Sequence, residues 1–157
     1  EEQDKGRPFE EGIDLLAKKF PKYENEISAF YNRYEEMLGS SITENVEVLT
    51  RLNKIGTTQL LGLTNWSRET FPIARKKFNF LNIFEGIVVS GNVGMIKPKP
   101  EIFHFLIDLY DVDIKSAIFI DDSQRNILGA RKLGLQAIKY ETPQQLQKAL
   151  RNFGVHF

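Results

Sequence analysis

Phe119-Ile120-Asp121-Asp122-Ser123-Gln124-Arg125-Asn126-Ile127-Leu128-Gly129-Ala130-Arg131-Lys132-Leu133-Gly134 reads as the end of a buried strand, a turn and a helix. The apolar run Ala117-Ile118-Phe119-Ile120 stops abruptly at two adjacent carboxylates. Helical spacing follows from Ile127 to Leu133, and Gly134 closes it. Two like charges side by side at a buried strand end are unfavourable unless a positive charge sits with them. A hard divalent cation with incomplete protein coordination, Mg²⁺, answers that need, and makes Asp121 and Asp122 candidate metal ligands.

Working outward, the same alternation of short apolar runs and helical stripes fills the chain from Ile42 onward. Val46, Leu49, Leu52 and Ile55 form one helix face. Leu60-Leu61-Gly62-Leu63 is a short strand ending in Thr64-Asn65. Phe71 to Phe80 reads as helix and Ile87-Val88-Val89 as strand. Ile102, Phe105, Leu106 and Leu109 mark another helix, Leu135 to Tyr140 a last strand, and Pro143 the first turn of a final helix. This order predicts an α/β fold with a mainly parallel, Rossmann-like sheet flanked by helices. The first part differs. Phe9, Ile13, Leu16 and Phe20 make one amphipathic stripe, broken by Pro21. Ile27, Phe30, Tyr31, Tyr34, Met37 and Leu38 make a second. Gly39-Ser40-Ser41 is the expected joint, dividing a helical part, residues 1–39, from an α/β part, residues 40–157.

Composition narrows the function. Lysine plus arginine and aspartate plus glutamate each total 21 in 157 residues, so net charge is near zero, and no nucleic-acid partner is expected. The absence of cysteine excludes disulfides, thiolate zinc sites and a cysteine nucleophile, and fits a cytoplasmic location. No apolar run approaches the roughly 20 residues of a membrane span, so no membrane partner is expected. The first residues, EEQDKGRPFEEG, lack the pattern of a signal peptide and do not begin with methionine, which leads us to expect a segment upstream.

Ligands of open parallel sheets bind beyond the carboxyl ends of the strands. Three polar features fall there: Thr64-Asn65, Lys97 in the Gly- and Pro-flanked stretch SGNVGMIKPKP, and Asp121-Asp122. A hydroxyl and backbone N–H groups can hold phosphate oxygens, a lysine can neutralise a phosphoryl group, and a carboxylate pair can hold Mg²⁺ against it. Together they suit phosphoryl transfer. Each has a plainer reading: Thr64-Asn65 as a helix cap, Lys97 as a solvated lysine, Asp122 as a cap. His104, mid-helix, reads as structural. Trp66 suits core packing or a pocket rim, and the aromatics Phe9, Phe20, Phe30, Tyr31 and Tyr34 suit packing more than a pocket.

The wording and order of LGLTNWS, VGMIKPKPEIF and FIDDSQRNILGARKLG resemble the second, third and fourth motifs of the haloacid dehalogenase-like (HAD) hydrolases, most closely the sugar-phosphate phosphatases and the N-terminal phosphatase domain of epoxide hydrolases. The resemblance runs from about Ile42 to Leu150. It implies that Thr64 and the Asn65 backbone bind phosphate, that Lys97 stabilises nucleophile and phosphoryl charge, and that Asp121 ligates Mg²⁺. Asp122 would support that ligation directly or through water, and Asn126 would stand behind the ligands. Residues 1–39 resemble part of a mobile helical cap. The acidic Asp121 argues against a metal-free dehalogenase, the alternative activity. A phospho-receiver module would place its acidic pair first and its lysine last, the reverse of the order here. A non-catalytic binding fragment is the remaining alternative.

The family's first motif, an aspartate nucleophile at the end of the first, central strand, has no counterpart here. Asp4 follows no apolar strand, and Asp14 lies in a helical pattern. The resemblance therefore implies a truncated chain, inactive alone, although the intact protein is a phosphatase acting through an aspartyl-phosphate. It also implies a slot about 10 Å wide between the Thr64 and Asp121 strands, to be filled by the missing N-terminal segment or by a segment of another copy.

Overall fold

The computed structural model describes residues 1–156, so residue 157 of the expected α/β part lies outside the described residues. The helical part comprises α1 (Phe9–Lys19), a single 3-10 turn over Pro21–Tyr23, α2 (Glu24–Asn32) and α3 (Tyr34–Met37). Pro21 ends the first stripe as expected. The second stripe is broken at Arg33, whose guanidinium pairs with Glu36 in the following turn. Phe9 packs on Tyr31 with ring centroids 4.7 Å apart, and Phe30 meets the edge of Tyr31 at 5.2 Å. Phe20 and Phe30 nonetheless remain exposed, so packing accounts for only part of that aromatic set.

The α/β part runs α4 (Thr43–Ile55), β1 (Leu61–Thr64), α5 (Phe71–Lys77), β2 (Gly86–Val89), α6 (Ser90–Val93), α7 (Pro100–Tyr110), β3 (Ile118–Asp121), α8 (Gln124–Lys132), β4 (Gln136–Lys139) and α9 (Pro143–Asn152). The helix read over Phe71 to Phe80 ends at Lys77 and passes into a 3-10 turn over Asn79–Ile83. The stretch after β2, read as loop, contains the one-turn α6. Pro143 sits in the first turn of α9, where its missing N–H is no loss, and Thr142 Oγ1 accepts from Gln145 N at 3.1 Å.

All the pairing is parallel. Leu61 to Thr64 lie opposite Gly86 to Val89, and Ile118 to Asp121 opposite Gln136 to Lys139. Among the described residues these form two separate two-stranded sheets, β1-β2 and β3-β4, with no ladder between β1 and β3. Two apolar clusters hold the strands. Val88, Ile102, Phe103, Ile127, Ala130, Leu135 and Ala137 are buried together, so α7 and α8 cover one face. Val48, Leu52, Ile138, Leu146 and Leu150 bring α4 and α9 to the other. Period-2 alternation divides β3 between them: Phe119 packs edge-on against Phe103 at 5.2 Å, while Ile118 joins the α4/α9 cluster. Ile120, an apolar residue inside a strand, stays 40% exposed.

Candidate active site

Thr64, Asn65, Asp121 and Asp122 stand at or just past the ends of β1 and β3, and Lys97, in the stretch between α6 and α7, reaches both strands through its side chain. Lys97 is the centre. Its Nζ donates to the carbonyl of Leu63 on β1 at 2.6 Å and to Asp121 Oδ2 at the end of β3, also at 2.6 Å. One ammonium thus touches both half-sheets. The two charged side chains are only 9% and 6% exposed, and Nζ lies 5.6 Å from the Phe119 ring centroid, over its face. Lys97 is therefore a buried, aimed charge, and the solvated-lysine reading is excluded.

Asp121 accepts three hydrogen bonds. Besides Lys97, its Oδ1 accepts from Ser123 N at 2.8 Å and from Asn126 Nδ2 at 2.9 Å. The position of Asn126, in the first turn of α8, explains the second of these. The adjacent Asp122 lies just past the end of β3 and is exposed. Neither aspartate serves as the side-chain cap of α8, whose N-cap position is Ser123.

Thr64 and Asn65 do not cap a helix, since α5 begins only at Phe71. The Thr64 hydroxyl makes no hydrogen bond to the described residues. Asn65 is committed: Oδ1 accepts from Lys97 N at 2.8 Å and Nδ2 donates to Lys97 O at 2.9 Å. Trp66 packs edge-on against Phe71 at 5.7 Å and donates through Nε1 to Thr70, as packing reasoning expects. His104 is an exposed residue of α7. Asp4 is half-buried in the turn before α1, and Asp14 is exposed on α1.

Sequence reasoning did not single out Ser90. It is fully buried immediately after β2; its Oγ accepts from Trp66 N at 2.8 Å and donates to Trp66 O at 3.3 Å. The strand-end rule that found Thr64 applies equally to Ser90. The helical part reaches the same side of the molecule. A Cβ on Gly6 would lie 2.7 Å from Gly91 O, and Phe9 N donates to Glu69 Oε1 at 2.8 Å. Burial raises the Tyr34 phenol above its ordinary value, against hydrogen bonding from Thr70 and Trp66 that favours the charged form.

A lysine, a hydroxyl and a buried carboxylate converging on the strand ends is the arrangement sought by phosphoryl-handling chemistry, and its order along the chain matches a known family over residues 6–140. The chain belongs to the haloacid dehalogenase-like hydrolase family. Among HAD relatives, bifunctional epoxide hydrolase 2 of Mus musculus is 29% identical over 110 residues, covering 68% of this chain and 20% of that protein. A sesquiterpene phosphatase of Aspergillus oryzae is 29% identical over 73 residues, covering 46% of this chain and 37% of that protein. The chain thus spans well under half the length of these relatives. A HAD family enzyme from Bacteroides thetaiotaomicron, solved in complex with magnesium and inorganic phosphate, superposes with a TM-score of 0.72 at 25% identity, covering 89% of this chain and 73% of that one.

Among the described residues no group of three or more histidine, cysteine or acidic side chains gathers to hold a metal. The donors present still suit Mg²⁺. A carboxylate offers about four lone-pair positions, and Asp121 uses three of them on Lys97, Ser123 and Asn126. One position remains, and Mg²⁺ is commonly held by one or two carboxylates with water and phosphate completing the shell. No helix among the described residues is long and apolar enough to cross a membrane.

Proposed function

We propose that the intact protein is a Mg²⁺-dependent phosphomonoesterase acting on a small phosphorylated metabolite, with its site at the carboxyl ends of β1, β2 and β3. The observation that carries this reading is Lys97, a buried ammonium held between the β1 backbone and Asp121. Such a charge, fixed in a water-poor position before substrate arrives, stabilises the extra negative charge of phosphoryl transfer without reorganisation. The unbonded Thr64 hydroxyl and the Asn65 backbone would orient phosphate oxygens. Asp121 would hold Mg²⁺, with exposed Asp122 acting through water and Asn126 fixing the Asp121 carboxylate. When bound, the metal supplies charge neutralisation at the phosphate.

The nucleophile belongs, on this reading, to a strand lying between β1 and β3, whose facing edges make no ladder with each other. A carboxylate at its end would sit beside Lys97. Its oxygen would bond to phosphorus as the P–O ester bond breaks, and the leaving oxygen would take a proton from the second carboxyl group of an Asp-x-Asp segment. Water would then release inorganic phosphate and restore the carboxylate. That strand could come from an upstream segment or from another copy. Residues 1–39 would form part of a cap over the strand ends, a placement supported by the Gly6 and Phe9 contacts. The expected setting is the cytoplasm, with a small phosphorylated substrate and neither nucleic acid nor membrane as partner.

The test compares the 157-residue chain with one extended upstream by an apolar strand ending in Asp-x-Asp. The extended protein should hydrolyse a chromogenic phosphate ester with Mg²⁺, and K97A should lower its turnover at least about 100-fold. The shorter chain should be silent. Robust hydrolysis by the shorter chain, or K97A turnover within about tenfold of the parent, refutes the proposal.

A further inference from the structure

We infer that Asn65 is a positioning residue whose side chain acts on Lys97 rather than on substrate. The inference deepens the phosphatase reading and rests on it for its functional meaning, though its geometry stands independently. A lysine ammonium is a compact charge on a flexible four-carbon stem, so its location is defined only as well as its backbone and its end are held. The end is held by Leu63 O and Asp121. The backbone is held by the Asn65 amide, which pairs with Lys97 N–H and C=O together at 2.8 and 2.9 Å across 32 residues of sequence. The side chain thus mimics a peptide group facing another peptide group, using the acceptor and one of its two amide hydrogens.

The clamp has a rigid base. On the opposite side of the same turn, buried Ser90 pairs its hydroxyl with both Trp66 N and Trp66 O, and Gly91 N donates to Trp66 O at 3.1 Å. Two side-chain-to-backbone pairs therefore lock residues 65–66 to the segments that follow β2. Any displacement of Asn65 carries the Lys97 peptide with it. Spending both Asn65 functions on the lysine backbone leaves phosphate recognition at this turn to Thr64 and to main-chain groups.

Lysine labelling with an amine-reactive ester, read by mass spectrometry over a range of pH, tests this without relying on turnover. Lys148, exposed on α9, is the internal reference. In wild type Lys97 should react far more slowly than Lys148. N65A should raise the Lys97 rate about tenfold against that reference, because local opening then exposes it. N65D keeps the acceptor for Lys97 N–H but loses the donor to Lys97 O, so it should give an intermediate rate with the Lys97 amide still protected from hydrogen exchange. A Lys97 rate within about twofold of wild type in folded N65A overturns the inference. If N65A does not fold, N65D and wild type decide. Unchanged labelling in N65D, or free exchange of the Lys97 amide or of both Asn65 side-chain hydrogens in wild type, overturns it equally. In the extended protein, N65A that loses turnover while Lys97 labelling stays unchanged overturns it in favour of direct substrate contact. Failure of the phosphatase reading would leave the labelling result intact.

Discussion

Replacing Lys97 with methionine keeps most of the stem and removes the charge, leaving Asp121 with no cation in a place where its side chain is 6% exposed. Stripping one partner from a buried ion pair typically costs about 3–5 kcal/mol, because the remaining charge is uncompensated. Two features move the expectation to the lower end. Asp121 retains Ser123 N at 2.8 Å and Asn126 Nδ2 at 2.9 Å, and the methionine stem can still lie over Phe119. We expect about 3 kcal/mol, which at a urea slope of about 1–3 kcal/mol/M lowers the unfolding midpoint by roughly 1–3 M. D121N leaves the Lys97 ammonium with Leu63 O and should cost about 2–4 kcal/mol. The double variant should fall short of the sum of the two by about 2 kcal/mol, since both changes remove the same interaction. That coupling should survive high salt, because buried pairs are screened far less than surface pairs. Equilibrium urea unfolding of all four proteins closes the cycle. A K97M cost below about 0.5 kcal/mol, the range of exposed pairs, or additivity within about 0.5 kcal/mol, would refute the view that this pair is buried and coupled.

Two further outcomes follow from particular contacts. Gly129 on α8 faces the segment carrying Lys97, and a Cβ there would lie 2.7 Å from Pro98 O and 3.0 Å from Pro98 Cβ. Although alanine favours a helix over glycine by about 1 kcal/mol, G129A should destabilise by a net 1–2 kcal/mol or so in urea unfolding, since a backbone carbonyl must shift; a stabilised G129A would show that α8 and this segment are not tightly apposed. Tyr34 carries a pH signature. Burial holds its phenol above the ordinary value of 10.0, and a group raised on folding stabilises the fold below its unfolded value and loses that contribution as pH rises through the folded one. Wild type should therefore lose stability above about pH 10 more steeply than Y34F, and parallel alkaline limbs for the two proteins would contradict the assignment.

Local signals carried much of the fold. Helical spacing and chain breakers located α1, α4, α7, α8 and α9, because side-chain periodicity and the chemistry of proline and glycine act within a few residues. The departures also have local causes that pattern alone does not weigh. The second N-terminal stripe breaks at Arg33, and α5 ends early in a 3-10 turn. At the site, the apolar run ending in Asp121-Asp122, the Lys97 stretch and the Thr64-Asn65 turn were legible because strand ends in open parallel sheets are where ligands bind.

What each of those residues does was another matter. Sequence makes Asp121 the ligand and Asp122 its support; Asp121, the last residue of β3, turns inward to Lys97, Ser123 and Asn126, and Asp122, just past the strand, is exposed. Sequence assigns phosphate to the Asn65 backbone and leaves its side chain without a role; that side chain is bound to a backbone 32 residues away. Ser90 stands just past β2, where the strand-end rule applies, but nothing local shows that it locks Trp66 across 24 residues. The sequence by itself determined which residue types stand at the strand ends, since that depends on local periodicity. The tertiary structure alone decided their partners, since hydrogen bonds between distant segments exist only once packing has brought those segments together.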